Sequence, residues 1–210
     1  MTRLAQAERT ALCDTALQVG GDQPTLCGEW DVKDLVTHLL VREGSPAAVG
    51  IVVAPLAPAT EARMRRLRKR DLAVLVEKLR GGPPIYSPYA VPKLDEMLNT
   101  LEYFVHHEDI RRAQPSWTAR AMSDDDQKLL WAMVRTAGKG LTRSAPVGVT
   151  IENATTGSRA TLKGGAEVVT VRGLPSEVTL FVFGRKAVAD VELLGEPDAV
   201  ARLRETSLGI

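Results

Sequence analysis

Histidine, cysteine and aromatic residues are all scarce in this chain of 210 residues: three histidines, two cysteines and 4 % aromatics. Each scarcity excludes something. Cys13 and Cys27 are too few for a disulfide framework and lack zinc-finger spacing, so two thiols in a reducing compartment are expected. With so few aromatic rings the core must be built from Leu, Val and Ala. Long apolar runs are missing too. The longest, Ala47 to Ala59, is interrupted by Pro55 and Pro58 and falls short of the roughly 20 residues a bilayer requires. The opening MTRLAQAERTALCD has no apolar stretch of signal-peptide type. A net charge of +1 argues against a chain-wide basic field for nucleic acid. These absences lead to the expectation of a soluble, cytoplasmic protein with neither membrane nor nucleic acid as partner.

What is present is ordinary globular material, 44 % apolar and 25 % charged. Apolar residues recur at helical spacing from Leu4 to Ala16, ending at Gly20-Gly21. Asp31 is placed to cap a second helix running to about Glu43, with Asp34 three residues on. A Pro- and Ala-rich connection follows, then a helix over 60–80 stopped by Gly81-Gly82-Pro83-Pro84. A loop with Tyr86 and Tyr89 leads to a long helix from about Leu94 to Arg112. Ser123 and three aspartates open another, to about Lys139. From Pro146 the pattern changes. VGVTIEN, SRATLKG and EVVTVRG read as strands, with a hairpin tip at Thr155-Thr156-Gly157. A helix over 175–183, a strand in VADVELLG and a final helix in PDAVARLRET complete an α+β module. The expected fold class is thus an all-α bundle over 1–144 joined to a small α+β domain over 145–210.

The histidines are His38, His106 and His107. Glu102 and His106, four apart on one helix, share a face and border the apolar stripe Leu94, Leu98, Leu101, Val105. His38 sits beside Leu35 and Leu39 on its own helix. Two imidazoles and a carboxylate from facing helices form a three-ligand set with a fourth position open, as catalytic zinc prefers. His107 is rotated by about 100° from His106 and is excluded. Asp109 and Asp34 are candidate outer partners of His106 and His38, although helix capping is the simpler role for Asp34. By themselves these residues leave two readings open: a metal site, or hydrogen-bonded core histidines with a surface ion pair.

The segments TLCGEWDVKDLVTHLL and NTLEYFVHHEDIRRAQP resemble the DinB-like superfamily, in particular its actinobacterial branch of mycothiol-dependent maleylpyruvate isomerase-like proteins. The resemblance implies a DinB-like four-helix bundle binding a divalent metal, typically zinc, through His38, Glu102 and His106. It also implies a C-terminal module related to sterol-carrier domains, here GLPSEVTLFVFGRKAVADVELLGEPDAVARL. The implied activity is a mycothiol-dependent isomerisation or S-transfer, with the metal activating the thiol for attack on an electrophilic small molecule. A metal-binding protein without turnover and a small-ligand carrier are the alternatives. Arg185 is the candidate cation for an acidic substrate. Cys27 is read as a packed loop residue, with a fourth metal ligand or redox thiol as the alternative, and Trp30 as a core anchor rather than a substrate platform. The basic run ARMRRLRKRD is read as a solvated helix face, and the protein as a monomer or homodimer.

Overall fold

The computed structural model describes residues 4–45, 55, 57–87, 90 and 92–209, with side chains from 99 onward in the helix that begins at 92. Tyr89, most of the 45–60 connection and the Leu94 and Leu98 side chains lie outside the described residues. Contacts divide the chain into two units, 1–119 and 120–210.

The first unit is helical: α1 (Leu4–Val19), α2 (Val32–Gly44), α3 (Ala57–Arg68), α4 (Leu72–Arg80) and α5 (Pro92–Arg112). Its core joins Leu12, Leu35, Leu39, Leu75, Leu79 and Ile110 with Tyr103, and is mostly aliphatic as the shortage of aromatics requires. Asp31 caps α2 by accepting from the Asp34 amide at 2.8 Å, and Arg68 of α3 reaches back to Asp31 and Asp34, each at 2.5 Å. The single helix expected over 60–80 is two helices. Asp71 caps the second by accepting from the Ala73 amide at 2.8 Å, a start signal that needs neither Gly nor Pro.

The second unit begins earlier than composition suggested. Its first helix, α6 (Asp124–Leu141), is the one expected to close the bundle. Trp131, Val134 and Leu141 instead share a core with the sheet residues Val149, Ile151 and Val171. The strands are β1 (Gly148–Asn153), β2 (Arg159–Lys163), β3 (Val168–Gly173) and β4 (Glu192–Leu194), in the order β2-β1-β3-β4. β1 runs parallel to β3, and the other pairings are antiparallel. The link from β2 to β3 must pass the start of β1. There a Cβ on Gly165 would sit 2.5 Å from the Gly148 nitrogen, so the crossing needs glycine. Helices α7 (Pro175–Val182) and α8 (Pro197–Glu205) complete the unit. No described helix is long and apolar enough to cross a membrane.

Candidate metal centre

Three pieces of the first unit meet around His106: α2, α5 and the loop between α1 and α2. His38 and His106 face each other with ring centroids 5.6 Å apart, and the Trp30 ring lies 5.0 Å from His38. His106 Nε2 is 3.4 Å from Glu102 Oε2. One donor atom from each of His38, Glu102 and His106 fits within a 4.8 Å set. The structure therefore brings together the three residues singled out from spacing.

Partners on the far side of His106 orient it. Its Nδ1 donates to Asp109 Oδ2 at 2.9 Å, and Asp109 is fully buried. A carboxylate that accepts a hydrogen bond from Nδ1 turns the Nε2 edge of the ring toward Glu102 and His38. Asp34 has no such place at His38. Its carboxylate is held by Arg68, and its amide by the Asp31 cap. His107 points away, with Nδ1 2.9 Å from Glu8 Oε2 and Nε2 3.0 Å from Thr15 Oγ1 on α1. Arg185 belongs to the second unit, where its guanidinium donates to the Phe183 carbonyl at 2.5 Å.

The electrostatics favour a cation at this spot. Burial, with the neighbouring His106 adding to it, pushes His38 down to about 4, so its imidazole is neutral with a lone pair to offer. Burial works against charge on Glu102 as well. Its hydrogen bond to His106 and the Arg42 charge prevail and hold it down at about 2. His106 goes the other way. Although burial opposes a charge there, hydrogen bonds to Asp109, Cys27 and Glu102 raise it well above the usual histidine range. Between two carboxylates, the Nε2 proton stands where a positive charge is wanted. A neutral imidazole, a carboxylate and a second imidazole whose proton a cation can replace are the donor chemistry of a borderline divalent ion.

Two residues stand closer to the site than the sequence reading placed them. Arg42, one turn after His38, has Nε 3.6 Å from Glu102 Oε2 and donates through Nη1 to Asn99 Oδ1. Asn99 donates to Glu43 at 2.7 Å, and Glu43 also accepts from Arg9 at 2.6 Å. Arg9 in turn donates to the Tyr103 hydroxyl at 3.0 Å. A buried polar chain thus ties Glu102 to α1. The i, i+4 spacing from His38 was the available signal. The second is Cys27, whose Sγ donates to Asp109 Oδ2 at 3.0 Å and lies 3.7 Å from His106 Nδ1. Nothing local in the sequence marks that contact, which spans about 80 residues.

No protein-family model matches the chain, and no curated protein matches it. A solved structure does: the crystal structure of the mycothiol-dependent maleylpyruvate isomerase, with a TM-score of 0.52, 14 % identity and 90 % of each chain covered. At that identity the likeness is one of fold, and it extends over nearly the whole length of both proteins.

Proposed function

We propose that this protein binds a divalent metal, zinc by preference, through His38, Glu102 and His106, and uses it in mycothiol-dependent isomerisation or S-transfer. The observation that carries the reading is the convergence of two imidazoles and a carboxylate within 4.8 Å, backed by a fully buried aspartate on His106. The fold likeness to a mycothiol-dependent isomerase supports the choice of thiol.

The chain's own residues have distinct duties. His38, held neutral, offers a lone pair. Asp109 retains the Nδ1 proton of His106 so that Nε2 faces the centre. Glu102 supplies negative charge, and Arg42 holds its carboxylate in place. His38, Glu102 and His106 would hold the ion, and three protein donors are the usual complement of a zinc that works on a further ligand. A divalent ion supplies the acidity that favours thiolate over a thiol with pKa near 8.5. A thiol held there would lose its proton more readily and so be the better nucleophile toward an electrophilic carbon of a small molecule. If the adduct expels the thiol, the outcome is isomerisation; if the adduct is released, it is S-transfer.

The deciding measurement is cobalt substitution. The cobalt protein should show a visible spectrum that shifts when mycothiol is added, and His38→Ala should abolish the shift. A cobalt spectrum indifferent to saturating mycothiol would leave a metal tie between two helices and no thiol chemistry.

A further inference from the structure

His106 stands between two donor sets. Its Nε2 side looks to His38 and Glu102; its Nδ1 side looks to Cys27 and Asp109. The second set also gathers three ligand atoms within 4.8 Å: Cys27 Sγ, His106 Nδ1 and an Asp109 oxygen. The separations are 3.0 Å for sulfur to oxygen, 2.9 Å for nitrogen to oxygen and 3.7 Å for sulfur to nitrogen. Ligands around a tetrahedral zinc-sized ion, with sulfur at about 2.3 Å and nitrogen or oxygen at about 2.0–2.2 Å, stand roughly 3.2–3.6 Å apart. Only the two contacts to oxygen need to lengthen, by a few tenths of an ångström.

The loop that carries Cys27 is fixed in advance. Thr25 pairs with Trp30 through its amide, at 3.2 Å, and through its hydroxyl, at 2.7 Å. The Cys27 amide donates to the Thr25 hydroxyl at 3.1 Å, and the neighbouring Leu26 amide donates to the Asp109 carbonyl at 3.1 Å. Gly28, with φ at +62°, lets the chain turn directly after the cysteine. Sulfur is thereby held against α5 by backbone bonds that do not depend on the thiol.

We infer that Cys27, His106 and Asp109 form a second metal site, one for thiophilic ions, sharing the His106 ring with the first. Thiolate with imidazole suits zinc, cadmium and Cu(I) better than magnesium or calcium. Entry of an ion releases two protons to solvent, one from the Cys27 thiol and one from His106 Nδ1. It exchanges the two hydrogen bonds to Asp109 for three ligand bonds. The site shares His106, and the Asp109 that orients it, with the thiol chemistry proposed above and requires no cosubstrate.

Cadmium alone, without mycothiol, is the probe. Added to the metal-free full-length protein, it should give a thiolate-to-cadmium charge-transfer band. It should also protect Cys27 from alkylation, which peptide mapping separates from Cys13, a fully buried residue donating to the Val76 carbonyl. The band should vanish in Cys27→Ser and persist in His38→Ala, which removes only the first set. Absence of the band in the wild type at saturating cadmium, with Cys27 alkylated at the apo rate, would overturn the site. So would a band lost with His38, since the ion would then belong to the first set. Failure of the mycothiol shift in cobalt protein would leave these results untouched.

Discussion

His106 and His107 are neighbours with opposite assignments, and rotation about the helix axis separates them. One ring faces α2 across the centre; the other bonds Glu8 and Thr15 of α1 through both nitrogens. His38→Ala should lose the zinc of the first set and His106→Ala the zinc of both sets, measured by elemental analysis of the protein as purified. His107→Ala should keep its zinc and instead lose about 1–3 kcal/mol in urea unfolding, the cost of disturbing buried hydrogen bonds. Equal zinc in all three variants would sink the ligand assignment. At the set of His38 and Glu102, Asp109 acts through His106. Asp109→Asn keeps the shape but removes the charge that favours the Nδ1 proton. Zinc affinity should then fall roughly 10- to 100-fold in competition with a chromophoric chelator. An unchanged affinity would mean the ring is oriented by packing alone.

Between residues and the fold stand the helix starts, where the site's geometry is set. Asp31 opens α2 and so fixes the turn on which His38 lies. Burial tends to raise its carboxyl, yet hydrogen bonds from Arg68 and the Asp34 amide prevail, and it sits below 3.8. The folded state therefore prefers the ionised form. The stabilisation is complete above the unfolded value near 3.9 and is lost as pH falls through the lower folded value. Asp31→Asn retains a capping side chain but gives up the ion pair. It should cost about 0.5–1 kcal/mol at neutral pH, since Arg68 is partly exposed and keeps Asp34. The gap to wild type should close under acid. A gap constant with pH would assign the loss to capping geometry.

The same scale shows what the sequence made legible. Period and caps sufficed for α1, α2 and α5, because those signals are local, and the Glu102–His106 spacing follows from α5 alone. The division of 60–80 at Asp71 was missed because a lone aspartate caps as well as it solvates. The partner of α6 was missed for a different reason. Leu130, Trp131 and Val134 declare a buried face without saying what buries it. Cys27 and Arg42 belong to that second kind, since their roles depend on side chains roughly 60 to 80 residues away.

Among the described residues there are two hydrophobic cores, one built from residues up to Ile110 and the other from Trp131 onward, with no buried residue in common. All proposed metal donors lie in the first unit. A ligand stabilises only what must unfold to release it, by RT ln(1 + [L]/Kd), or about 2.7 kcal/mol at a hundredfold excess over Kd. If the cores open separately, zinc should increase hydrogen-exchange protection in α2, α5 and the Cys27 loop by about that amount. Protection in β1 and β3 should stay as it was. Chelation should reverse the gain in the first unit alone. Equal gains in helices and sheet would make the chain one cooperative body despite its two cores. A gain confined to the sheet would remove the metal from His38, Glu102 and His106 altogether.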